Sequence, residues 1–141
     1  MFQRKVMNKA PERVRSRLVR LWTPVALWLA VIFLLSSIPG SNIPDVGLPN
    51  ADKVVHFSEF FILGVLLIRA VVNSFTGMHL AGLLILSIIL ISSFGAVDEW
   101  HQLFVSGRAT DIFDLAADIS GALAGSLFYI LIKRGACKCH H

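Results

Sequence analysis

The chain has 141 residues, 55% of them hydrophobic, with a mean hydropathy of +0.71, which excludes an ordinary soluble domain. Its net charge of +4 comes from 13 Lys/Arg and 9 acids that are segregated along the chain. Segregation of this kind points to membrane topology rather than to nucleic-acid binding. The length suits one domain, and no internal repeat is evident.

The leader, residues 1–20, holds seven Lys/Arg and one acid, Glu12. Basic residues flanking a span stay cytoplasmic, so the leader is expected inside, as a solvated tail that also touches anionic lipid. Leu21 to Ile38 follows without a charge. Its exit, Ser36-Ser37-Ile38-Pro39-Gly40, lacks an A-x-A-like cleavage site, so it reads as a retained span rather than a signal peptide. Pro44, Gly47 and Pro49 then mark a loop. The second apolar segment, about Val54 to Ser74, carries His56, Glu59 and Arg69. The third, His79 to Val97, has no acid or base after its first residue. The fourth, Ile112 to Ile132, carries Asp114 and Asp118 near its start.

Each segment is about 17–21 residues, enough to cross a ~30 Å core at 1.5 Å per helical residue. None alternates as a barrel strand would. The fold class is therefore an all-α integral membrane protein, a compact bundle of four transmembrane helices over residues 21–134. Four spans return the C-terminus to the side of the N-terminus, with both cytoplasmic. Eleven of the 13 Lys/Arg then lie inside, leaving only Lys53 and Arg108 outside. The terminal Cys137-x-Cys139-His140-His141 is an incomplete metal shell, and residues 135–141 are expected to form a disordered tail.

Eight of the nine carboxylates fall between Asp45 and Asp118, so this topology gathers them at the outer face. Acids in or beside hydrocarbon are expensive and are functional candidates by default. Asp52, His56, Glu59 and Leu63 recur at i, i+4, i+7 and i+11, one helical stripe. Asp52 or Asn50 can serve as a helix cap, worth about 1 kcal/mol, and Asp111 as a helix-start residue with Thr110 as its cap. The third segment runs on into Asp98-Glu99-Trp100-His101-Gln102, where acids oppose the helix dipole and Trp100 suits an interfacial anchor. Asp98 can reach Gln102 at i, i+4. Arg108 either counters the acids or clamps an anionic headgroup through its guanidinium fork. In the fourth segment Asp114 and Asp118 are followed by Gly121-x-x-x-Gly125, a spacing that lets a neighbouring helix approach closely.

These pieces, in order, resemble the VanZ-like family of small bacterial membrane proteins. The matching residues are Ser36-Ser37-Ile38-Pro39-Gly40, then Asp52-Lys53-x-x-His56-Phe57 with Phe60 and Gly64. Asp98-Glu99-x-x-Gln102, Arg108, Asp111 or Asp114, Asp118, Gly121 and Gly125 follow. Asp118 stands where the family often has Asn. The likeness covers roughly Leu27 to Tyr129 and leaves out the leader and the tail. It implies a four-span bundle in the bacterial cytoplasmic membrane and a role in the cell envelope. The family's named member is associated with resistance to teicoplanin, a lipidated glycopeptide acting at the outer membrane face.

Three functional readings are open on these residues. In the first, the protein is an enzyme acting on a lipid-linked or lipidated envelope substrate. His56, Glu59, Asp98, Glu99, Gln102, Asp114 and Asp118 then form its catalytic site, with Lys53 and Arg108 holding an anionic headgroup. A divalent ion (Mg²⁺, Mn²⁺ or Zn²⁺) at His56, Asp98, Glu99, Asp114 and Asp118 suits that residue mixture. In the second, the same pocket binds membrane lipid or antibiotic without turnover. In the third, the polar residues are a buried network that fixes helix register.

Overall fold

The structure is a computed structural model that describes residues 2–42, 50–75 and 77–138. It describes side chains at residues 12, 14–42, 50–75 and 77–135. Asp45, Pro44, Gly47, Pro49 and the residues after 138 lie outside the described set. Of Cys137 only the helical backbone is described. The described chain is all-helical: α1 (Phe2–Ser36), a 3₁₀ turn (Gly40–Asn42), α2 (Ala51–Ser74), α3 (Leu80–Gln102) and α4 (Ile112–Lys138).

Four stretches are long and apolar enough to cross a membrane: Val14–Ser36, Ala51–Ser74, Leu80–Gln102 and Ile112–Gly135. Helix α1 therefore incorporates the basic leader rather than starting at Leu21. Helix α3 continues beyond Val97, the expected end of its apolar segment, to Gln102. The Gln102 Nε2 donates to Asp98 Oδ2 at 2.9 Å across one turn, which supports helix where hydropathy falls. At the start of α4 the cap is Asp111 itself and not Thr110, because Asp111 Oδ1 accepts the Phe113 N–H at 2.9 Å. Before α2 the N-cap residue is Asn50, in the left-handed region at φ 59° and without a side-chain cap bond. Asp52 pairs with Lys53 instead.

Helix α2 packs against each of the other three, and its contact with α4 is the most extensive. Small residues make that approach possible. A Cβ on Gly121 would overlap the Phe57 carbonyl oxygen, one on Gly125 the Phe61 carbonyl oxygen, and one on Gly64 the Ala122 carbonyl oxygen. In a bilayer no hydrophobic effect separates helix from lipid, so such close backbone packing supplies much of the association energy. Helix α1 packs on α2, touches α3 lightly and has no packing contact with α4 among the described residues. The core between α1, α2 and α3 is built on Ile32, Phe60, Leu63, Leu67 and Ile91, all 5% exposed or less. Leu27, Leu34, Ile85, Ile112 and Leu131 point outward at 58–71% exposure, a surface suited to acyl chains and not to water.

Candidate functional site

The start of α2, the end of α3 and the start of α4 meet at one end of the bundle, and so do most of the acids. Two turns into α4, Asp118 is fully buried, and its Oδ1 lies 3.0 Å from Nδ1 of His56 on α2. A carboxylate can only accept, so the His56 Nδ1–H donates to it, which leaves Nε2 as the basic nitrogen. Room for the Asp118 side chain comes from Gly95 on α3, whose missing Cβ would lie 3.0 Å from Asp118 Oδ2. That second oxygen is buried without a hydrogen bond.

One turn closer to the helix ends, Lys53 Nζ donates to three carboxylates: Asp111 at 2.7 Å, Asp114 at 3.1 Å and Asp52 at 3.1 Å. An ammonium has three N–H donors, so all of them are taken. Lys53 is thus the hub of an ion network that ties α2 to α4, and a headgroup would have to compete with three anions for it. Lys53 and the Phe113 N–H, in that order, hold the Asp111 carboxyl below its ordinary value of 3.8. The Asp111 N–H in turn donates to Glu99 Oε2 at 3.1 Å, and Glu99 Oε1 is buried without a partner.

The connection from α3 to α4 closes over the end of α1. Gly40 N–H donates to Ser106 O at 3.0 Å, and a Cβ on Gly40 would collide with the Gly107 carbonyl oxygen. Arg108 donates from Nε to Ile38 O and from Nη2 to Leu35 O, both at 3.3 Å, so its guanidinium caps the end of α1 and bonds to none of the described acids. His101 stacks on Phe33, with ring centroids 4.4 Å apart. Its Nε2–H donates to Ser37 Oγ at 3.0 Å, a hydroxyl whose own proton goes to Phe33 O. His101 is therefore a packing residue. Trp100 is 63% exposed and meets Phe104 edge-on.

A cavity of about 400 Å³ lies between the end of α1 and the start of α2. Leu35, Ile38 and Val55 give it apolar walls, and His56, Glu59, Gln102 and Arg108 give it polar ones. The Glu59 carboxylate has no hydrogen bond to any described residue. The backbone behind it is held by Trp28, whose Nε1–H donates to Glu59 O at 2.9 Å. A second, apolar cavity of about 260 Å³, lined by Trp22, Leu29, Leu67 and Phe94, lies further along α1.

The expected site residues thus fall into groups. His56, Glu99 and Asp114 each bring one possible metal-ligand atom within 4.8 Å of one another. Asp118 stands behind His56 rather than among those three. Asp98 and Gln102, buried at 3% and 2% exposure, bond to each other. Gly121 and Gly125 lie against the α2 backbone. Several contributors escaped the sequence reading: Gly95, Trp28 and the α1 residue Leu35. Gly95 had a signal, an isolated glycine inside an apolar helix three residues before Asp98. Leu35 had none.

No curated protein and no solved structure matches the chain. The family model described as VanZ/LLP1 matches residues 5–133, which takes in most of the basic leader as well as the bundle and so reaches further than the motifs alone. With nearly the whole chain matched and four membrane-length helices carrying the family's polar residues, this protein belongs to the VanZ/LLP1 family.

Proposed function

We propose that this protein is a bacterial cell-envelope protein, with both termini cytoplasmic, whose polar site faces the outer leaflet. There it acts on the headgroup of a lipid-linked or lipidated envelope molecule. The observation that carries this reading is the 400 Å³ cavity in which His56 and Glu59, whose carboxylate has no hydrogen bond to any described residue, meet apolar walls. An amphipathic ligand needs that mixture: hydrocarbon contact along one side and a few convergent polar groups. Asp118 fixes the His56 tautomer, so Nε2 can take a proton from a hydroxyl or a water molecule and return it to a leaving group. Glu59 is a second carboxyl within the same cavity, and Arg108 offers the rest of its fork to an anion. The family resemblance supports a lipidated glycopeptide antibiotic as one such ligand.

A binding role without turnover is the second reading. It is favoured by Arg108, which lines a cavity with room for a headgroup. The test is purified protein in nanodiscs of bacterial lipid, with and without teicoplanin, followed by mass spectrometry. Product formation that disappears in His56→Ala and Glu59→Gln, both still folded, is the expected result. Saturable binding with no product would select the second reading. Product formation unchanged in His56→Ala would overturn the first.

A further inference from the structure

The three residues whose ligand atoms converge share a pattern. His56 has Nδ1 held by Asp118, Glu99 has Oε2 held by the Asp111 N–H, and Asp114 has Oδ1 held by Lys53. In each case one atom is fixed by a neighbour on another turn or helix. The other atom (His56 Nε2, Glu99 Oε1, Asp114 Oδ2) has no hydrogen bond to any described residue. For Glu99 Oε1 the surroundings exclude solvent as well. His56 itself is only 5% exposed. Metal ligands in proteins are held in this way: an outer partner fixes ring tautomer and carboxylate rotation, and the free atom points at the ion.

Charge balance points the same way. Asp52, Glu99, Asp111, Asp114 and Asp118 are gathered here, and among the described residues Lys53 is the only Lys or Arg paired with any of them. Arg108, the other basic residue described at this end, bonds to α1 carbonyls and to none of these carboxylates. Uncompensated carboxylates at membrane depth are costly and call for a counter-charge. We propose that His56, Glu99 and Asp114 bind a divalent transition cation, of the Zn²⁺ or Mn²⁺ type, with Asp118 orienting His56 behind it. One imidazole nitrogen and two carboxylate oxygens suit these ions, whereas Ca²⁺ and Mg²⁺ are served by oxygen ligands alone. Three protein ligands leave a coordination position open, as catalytic sites do. Ligands of a tetrahedral ion sit about 3.4 Å apart at bond lengths of about 2.1 Å, a spacing that falls inside the 4.8 Å within which the three atoms lie. An ion on His56 Nε2 would take the lone pair that the acid–base reading above assigns to that atom, so metal binding and proton transfer by His56 are alternatives for one nitrogen.

The test is metal binding by the full chain in detergent after dialysis against EDTA. Cys137→Ser, Cys139→Ser, His140→Ala and His141→Ala are carried in every sample, so that the tail contributes no ligands. Equilibrium dialysis with ZnCl₂ and with MnCl₂ should load one ion per chain. Glu99→Gln, which keeps the shape of the side chain, should weaken binding more than a hundredfold. Asp118→Asn should weaken it about 10–100-fold without changing the stoichiometry. Because His56→Ala can disturb the fold, the imidazole is tested on the unmutated site. The pulsed EPR spectrum of bound Mn²⁺ should show nitrogen coupling that changes on ¹⁵N-histidine labelling. Failure to load one ion, affinity indifferent to Glu99→Gln and Asp118→Asn, or bound Mn²⁺ without that coupling would each overturn the proposal.

Discussion

Gly121→Ala tests the helix contact on which the site hangs. The new Cβ would overlap the Phe57 carbonyl oxygen and lie 3.0 Å from its carbon and 3.1 Å from its Cα, where ordinary contact begins near 3.4 Å. The obstacle is backbone, which no side-chain rotation relieves, so α2 and α4 must move apart. Overpacking of this kind costs about 1–3 kcal/mol. Gly121 lies one turn beyond Asp118, and Phe57 adjoins His56, so the same displacement stretches the 3.0 Å His56–Asp118 bond. Weakening a buried bond to a charged group adds about 1 kcal/mol or more. The sum, about 2–4 kcal/mol, lowers the melting midpoint by roughly 5–15 °C at about 2–4 °C per kcal/mol for a chain of this size. The assay is the fraction remaining monodisperse on size exclusion after heating in mild detergent. Gly82→Ala is the internal control, because its Cβ would meet only Met78 Cε at 3.5 Å. Helix propensity then makes it neutral or stabilising by up to about 1 kcal/mol. A Gly121→Ala protein that melts with the wild type, or with Gly82→Ala, would refute the close-packing argument.

Lys53→Met should lower the midpoint at neutral pH, since Asp52, Asp111 and Asp114 lose their shared cation. Asp111 titrates below its ordinary value of 3.8 because of Lys53 and the Phe113 N–H. Its contribution is therefore complete above that value and lost as the pH falls through the lowered one. Wild-type stability should accordingly decline in acid more steeply than that of Lys53→Met; equal acid slopes would sink the idea. The topology is tested by Ser106→Cys in a Cys137→Ser, Cys139→Ser chain. An impermeant maleimide should label it from outside intact cells, and labelling only after the inner face is exposed would reverse the orientation.

The four spans were legible because apolar runs of bilayer length carry their own signal, independent of partners. The end of α3 was not legible from hydropathy, since Asp98 and Glu99 depress it just where the Asp98–Gln102 bond keeps the helix going. His56 and Asp118 were each legible as intramembrane ionisable groups, and their pairing across 62 residues was not. It depends on the α2–α4 approach, of which Gly121 and Gly125 gave one side. Lys53 reads in the sequence as a headgroup-binding cation, and the sharing of its N–H groups among three carboxylates was not legible there. Only the three-dimensional arrangement shows Asp111 and Asp114 converging on it. The cavity was invisible in sequence, being a gap between side chains of α1, α2 and the loop after α3.

The most extensive helix pair, α2 with α4, is not consecutive in the chain, and this bears on the order in which the protein is made. When α2 and α3 leave the insertion machinery, His56 and Lys53 have no carboxylate partner from α4, and Glu99 has no Asp111 amide to hold it. Helix α4 in turn brings Asp114 and Asp118 into a bilayer that tolerates neither alone. The fourth span therefore has to find a helix released two spans earlier before its own acids are neutralised. Insertion of the fourth span and completion of the polar site become a single event.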